Sequence, residues 1–171
     1  MEGDLRRGLF PAEAEPEQVM EIVKVLANIG GGLDVLELEK ILKIDADQSA
    51  RLVNACQMLD LTRIHDGRVV LTENGTRLND LSKTEKGNFL AGRLASIEPF
   101  RTAIEIAGKQ KTVSVETVVD ALSRLKLRWT EEGDDELNEL LVHNILVDWV
   151  VFAGLLQYDG RADKFRAKIV D

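Results

Sequence analysis

Between Leu61 and Leu71 the apolar spacing of this chain changes from helical to strictly alternating, directly after three helical stretches. That order constrains the fold more than any other feature. Leu61-Thr62-Arg63-Ile64-His65 and Arg68-Val69-Val70-Leu71 flank Asp66-Gly67, and a tight Asp-Gly turn between alternating runs is a strong hairpin signal. Upstream, Val19, Ile22, Val23, Leu26 and Ile29 recur at helical spacing behind Pro16, which suits a first turn. Gly30-Gly31-Gly32 stops that helix. Asp34 with Glu37 predicts a capping box for a second helix that turns Leu36, Leu38 and Ile41 or Leu42 inward. Asp45 predicts the cap of a third, roughly 46–59, burying Leu52, Val53, Cys56 and Leu59. Three helices followed by a hairpin are the winged-helix arrangement, an elaborated helix-turn-helix.

The rest of the chain repeats this outline. Thr72 caps a short helix through Leu81, and Ser82, with Glu85 three later, opens a connecting helix to Glu98 whose apolar side holds Phe89, Leu90 and Leu94. Pro99 marks a boundary. A helix from Phe100 to Ala107 follows, with Phe100, Ile104 and Ala107 inward; Ser114 then caps a second carrying Val118, Val119, Leu122 and Leu125. Thr130 to Asp135 reads as a polar loop. The long helix after it, from about Glu136 to Leu155, has the stripe Leu137, Leu141, Ile145, Trp149, Phe152 and Leu156. Leu156-Gln157-Tyr158 and Lys164-Phe165-Arg166 around Asp159-Gly160 predict a looser hairpin. The expected fold is mainly α with short β-hairpins. Tandem winged-helix (helix-turn-helix-like) units at 16–81 and 99–171 are joined by a connecting helix, 82–98. Residues 1–15, with Pro11 and alternating Ala and Glu, read as a flexible tail.

Several function classes lose their support at the sequence level. The longest apolar stretch, Val142 to Leu156, is interrupted by His143, Asn144 and Asp148, short of the ~20 residues a membrane span needs. The chain's beginning shows no basic start followed by an apolar run, and one cysteine, Cys56, forms no internal disulfide; both fit a cytoplasmic protein. The phosphate-loop pattern is missing: Gly87 and Gly92 have its glycine spacing, but Arg93-Leu94 follow them inside a helical run. His65, His143 and Cys56 have no metal-ligand spacing, and Cys56 sits on a buried stripe. No catalytic, cofactor-binding or metal-binding residue is singled out, and a non-enzymatic protein is expected.

Contact residues are the alternative. On the third helix Gln48, Arg51 and Asn54 lie off the apolar stripe, and Arg63, His65 and Arg68 populate the hairpin; these types address base edges and phosphates, or a protein partner. Asp45 and Asp47 oppose the DNA reading, because they sit at the helix start that such proteins push into the groove. Glu131-Glu132-Gly133-Asp134-Asp135-Glu136 does the same in the second unit, where the bland account is favourable placement at the positive end of a helix. The net charge is −8, and neither expected unit is net basic. Asp148, beside Trp149 in an apolar helix, predicts a structural ion pair with Arg101, Arg124 or Arg128, or an interface role; Trp149 and Tyr158 are further interface or structural candidates.

The same residues carry a family resemblance. Pro16, then Gly31-Gly32-Leu33-Asp34, Leu38 and Leu42, then Asp66-Gly67-Arg68-Val69-Val70-Leu71-Thr72 with Gly75, resemble the AAA-associated (ABC-transporter-associated) C-terminal domain. Trp149, Ala153-Gly154-Leu155 and Tyr158-Asp159 are similar to that family's closing segment; Val150-Val151-Phe152 is more apolar than the family's usual stretch there. The resemblance covers about 16–165. It implies a regulatory or docking appendage of ATP-binding-cassette importer subunits of the nitrate, sulfonate or taurine type, and hence a protein partner, an ABC ATPase subunit. With no cassette ahead of it in this sequence, the expectation is a domain acting in trans or a fragment. DNA is the disfavoured partner, no insertion into a membrane is expected, and a homo-oligomer is left open.

Overall fold

The computed structural model describes residues 8–168, in which eight helices and two small antiparallel three-stranded sheets appear. They fall into two compact units. One spans Ala14–Lys86; the other gathers the described residues before Ala14 and those from Gly87 onward.

In the Ala14–Lys86 unit, α1 (Pro16–Ile29) begins with Pro16 in its first turn and buries Val19, Ile22, Val23 and Leu26. Ile29, expected on that stripe, is 47% exposed, since it falls in the last turn beside the Gly30 cap. A two-residue strand, β1 (Leu33–Asp34), precedes α2 (Val35–Leu42) and α3 (Ala46–Met58). The expected capping box of α2 and the expected cap of α3 both form, the Asp34 carboxylate accepting from Glu37 N at 2.8 Å and that of Asp45 from Gln48 N at 2.8 Å; Gln48 makes the second a full box. α3 buries its expected stripe, Leu52, Val53 and Cys56, with Leu59 just beyond. α2 does not: only Leu38 is buried, while Leu36 and Ile41 are 68% and 48% exposed. An eight-residue helix with one buried position cannot hide a stripe as broad as the sequence carries.

The expected hairpin forms from β2 (Thr62–His65) and β3 (Arg68–Leu71), with Thr62 opposite Leu71 and His65 opposite Arg68 and with Asp66 and Gly67 at φ 51° and 72°. β1 pairs with β3, giving the order β1-β3-β2. Thr72 Oγ1 accepts from Gly75 N at 3.1 Å and starts α4 (Glu73–Asn79). Ser82 N donates to the Glu85 carboxylate at 2.8 Å ahead of α5 (Lys83–Leu94), and this bond holds the Glu85 carboxyl below its ordinary range. α5 stops at Leu94, short of the expected Glu98.

In the other unit the element order recurs: α6 (Phe100–Gln110), β4 (Thr112–Ser114), α7 (Val115–Arg124), α8 (Asp135–Phe152), β5 (Leu156–Asp159) and β6 (Lys164–Ala167), with the sheet order β4-β6-β5. The core gathers Phe100, Val118, Leu122, Ile145, Trp149 and Phe165, all 2% exposed or less. Leu125, expected inward on α7, is 52% exposed because the helix ends at Arg124. The segment expected as a tail is packed where it is described. Leu9 bridges Glu98, Phe10 N donates to Glu98 O at 2.7 Å, and the Phe10 ring meets Phe100 and Trp149 edge-on at 5.3 and 5.0 Å. Residues 1–7 of the expected tail lie outside the described residues.

Candidate contact surfaces

The candidate residues of the Ala14–Lys86 unit are positioned by α3 and the β2–β3 hairpin. Gln48 is third in α3, and its side-chain oxygen accepts from Asp45 N at 3.3 Å. Its side-chain oxygen is thus engaged at the helix start. Arg51 is half-buried and Asn54 exposed on the polar side of α3. Arg63 and His65 point the same way from β2, as alternate residues of a strand must, and both are exposed. His65 lies 3.4 Å from the carboxylate of Asp66, and Arg68 Nη2 donates to Gly32 O at 3.1 Å, bracing β3 against the loop before β1. The hairpin's positive charge is thus partly spent inside the unit.

α8 holds the corresponding place in the other unit, the last helix before a hairpin. Glu131, Glu132, Asp134, Asp135, Glu136 and Glu139 are all exposed around its start. One guanidinium organises that loop: Arg128 donates to Thr130 O at 2.8 Å, to Glu131 O at 2.8 Å and to Asp135 Oδ1 at 3.0 Å. Arg101 is held by Glu98 at 2.9 Å. Two of the three arginines suggested for Asp148 thus make ion pairs with other acids. Asp148 itself is half-buried and has an interaction within the chain. Trp149 is fully buried and belongs to the core, edge-on to Phe10 and Phe152.

Tyr158 joins β5 to α8. Its hydroxyl donates to Asp163 Oδ1 at 2.6 Å and lies 3.1 Å from His143 Nε2. The bond to Asp163, helped by burial and by the Asp163 and Asp159 charges, raises the phenol above its ordinary range. Asp159 accepts from Ala162 N and Arg161 N and pairs with Arg166 at 2.7 Å, which holds its carboxyl low. Tyr158, Asp159, Arg161 and Arg166 line an open depression together with Gln157 and Gly160. Among the described residues no group of three or more His, Cys, Asp or Glu side chains could hold a metal ion, and no helix is long and apolar enough to cross a membrane.

The outward side of α8 is a surface that the expected stripe concealed. Its buried residues are Asn138, Val142, Ile145, Leu146, Trp149 and Val150. Leu137, expected inward, is 43% exposed; Leu140 and Val151 are 54% and 47% exposed. Leu141 and Phe152, also expected inward, are half-buried. Because α8 is apolar almost all round, helical spacing offers several stripes and does not choose between them. The charged start was the only sequence signal marking this helix as a surface element.

No curated protein and no solved structure matches this chain. The family model of the C-terminal AAA-associated domain matches residues 36–159, from the first turn of α2 to the end of β5, more than two thirds of the sequence. The chain belongs to the C-terminal AAA-associated domain family.

Proposed function

We propose that this chain is a cytoplasmic, non-enzymatic accessory module that binds protein, with an ABC-type importer ATPase subunit of the nitrate, sulfonate or taurine class as its partner. Membership of the AAA-associated family supports the ATPase connection. The helix–strand–helix–helix–strand–strand order with its interleaved sheet, present twice, supports reading both units as winged helices joined through α5.

The observation that carries a protein partner over DNA is the charge at the two reading-helix starts. A winged helix that reads DNA brings the start of this helix to the phosphates, where exposed carboxylates are repulsive. Here α3 begins with Asp45 and Asp47, and α8 is ringed by Glu131, Glu132, Asp134, Asp135 and Glu136. The DNA-binding regulator, resting on Gln48, Arg51, Arg63 and Arg68, loses Gln48 to its cap and Arg68 to the Gly32 carbonyl.

Two measurements test the proposal. At ~150 mM salt the chain should bind duplex DNA no more tightly than about 10⁻⁴–10⁻⁶ M, the non-specific range. A nanomolar shift abolished by Arg51→Ala would reverse the choice of partner. An affinity-tagged chain should co-purify with an ABC ATPase subunit; recovery of a transcription complex with no transporter subunit counts against it.

A further inference from the structure

The outward positions of α8 form a regular seam. Leu137, Leu140, Asn144, Val147 and Val151 succeed one another at intervals of three and four, the spacing that keeps a stripe facing a partner helix. Leu137, Leu140, Asn144 and Val151 are exposed and Val147 is half-buried. The seam is opposite the core-facing stripe; its one polar side chain, Asn144, has Oδ1 3.3 Å from Nδ1 of the neighbouring His143, which leaves its amide nitrogen to donate outward.

We infer that this seam docks against the same seam of a second copy of the chain, with the two α8 helices antiparallel and Asn144 at the two-fold axis. Three features select a second copy over an unrelated protein. First, the seam is self-complementary about its middle. Leu137 and Val151 lie one heptad on either side of Asn144, and Leu140 and Val147 lie within it. Reversal about Asn144 sets Leu137 against Val151 and Asn144 against its own copy, and brings Leu140, four residues before the axis, within one residue of the other copy's Val147, three after it, with Asp148 at the edge of that layer. Second, Asn144 is the one polar residue among the five. A carboxamide donates and accepts, so two of them satisfy each other, and a single polar position of this kind fixes register.

Third, the charges at the two ends are opposite. α8 carries no Lys or Arg, and the six acids Glu131, Glu132, Asp134, Asp135, Glu136 and Glu139 surround its start. At its far end the Lys168 ammonium lies beside Gly154, where an added Cβ would be 3.0 Å from Nζ; the hairpin there carries Arg161, Lys164 and Arg166 against Asp159 and Asp163, and Arg166 is paired with Asp159, so the end is net basic. Antiparallel pairing brings each acidic start to the other copy's basic end and opposes the two helix dipoles. Parallel pairing would press the two acid rings together. Asp148, which has its own interaction within the chain, borders the seam.

The seam is short, so the dimer should be weak, with a dissociation constant of roughly 10⁻⁶–10⁻⁴ M. Sedimentation of the full chain from ~1 to ~500 µM should show a monomer giving way to a dimer, weakened at least about three-fold by raising salt from ~50 to ~500 mM. Leu140→Lys should remain monomeric over that range with an unchanged circular dichroism spectrum, since Leu140 is outside the core. As a second readout, Asn144→Cys should form a disulfide-linked dimer on mild oxidation, whereas Leu137→Cys, far from its copy in antiparallel pairing, should not. A wild-type monomer at ~500 µM, or dimerisation unaffected by Leu140→Lys, overturns the inference; ready cross-linking of Leu137→Cys, or indifference to salt, overturns the antiparallel arrangement. The inference is independent of the importer proposal: a monomer that still captures the ATPase would sink this one and leave the other standing.

Discussion

Cys56 lies at 0% exposure on the buried stripe of α3, and burial pushes its thiol from 9.0 up to about 12. A thiol in that setting is a small packed apolar group, neither nucleophile nor metal ligand. Its ionisation couples to folding with a definite sign. Above about pH 9 the unfolded thiol loses its proton while the folded one keeps it, so the native state binds more protons and stability falls as pH rises toward 12. The slope from this group approaches ~1.4 kcal/mol per pH unit in that window and vanishes below it. Urea midpoints of the wild type and of Cys56→Ala, compared at about pH 8, 9.5 and 10.5, should converge as pH rises, because only the wild type carries this linkage. The subtraction also removes any contribution from Tyr158, whose phenol is raised too. Parallel pH curves for the two proteins would show that the thiol is not sealed as described.

Helices and strands were legible to different depths, and the glycines of α5 show why. Gly87 and Gly92 look alike in sequence, two glycines inside a helical run. A Cβ on Gly87 would collide with the carbonyl oxygen of Phe152 at the end of α8 and lie 3.4 Å from the Ala153 Cα, whereas one on Gly92 meets nothing within 4 Å. Helix propensity favours alanine at both sites by about 1 kcal/mol. Gly92→Ala should therefore gain roughly 0.5–1 kcal/mol and Gly87→Ala lose about 1–3 kcal/mol, read as opposite shifts in the thermal midpoint. Equal responses would mean that α5 and α8 do not approach so closely.

The elements marked by local chemistry appeared where the residues announced them: α2 and α3 behind Asp34 and Asp45, and the β2–β3 hairpin around Asp66-Gly67. β1 and β4, of two and three residues, carry no period of their own and exist because β3 and β6 offer an edge. Burial was legible on α3, where polar residues leave one stripe, and illegible on α8, where nearly every face is apolar. The contact residues were half-visible. Sequence put Gln48 and Arg68 among surface polar groups, but only the fold reveals that a helix cap and the Gly32 carbonyl already use them.

At the scale of the whole molecule, the chain does not fill its units in order. Residues just before Ala14 pack with the unit that resumes at Gly87, after the intervening stretch has formed the other. Nothing in composition announces this, since Leu9-Phe10 is too short to show a period and Pro11 with its Ala and Glu neighbours reads as a tail. The anchoring chemistry is nevertheless substantial. Phe10 is fully buried between Phe100 and Trp149, its nitrogen donates to Glu98 O, and its carbonyl accepts from Trp129 Nε1 at 2.8 Å. Truncating the ring leaves a cavity beside the largest side chain of that core, so Phe10→Ala should cost about 3–5 kcal/mol. Both tryptophans, Trp129 and Trp149, belong to this unit, so intrinsic fluorescence in a urea titration reports on the affected core directly. A loss below ~1 kcal/mol would be the surface value and would return residues 8–13 to the status of a loosely held arm. A loss in the core range makes residues 8–13 a structural member of the unit that resumes at Gly87, and any boundary drawn after residue 15 would then cut through that unit's core.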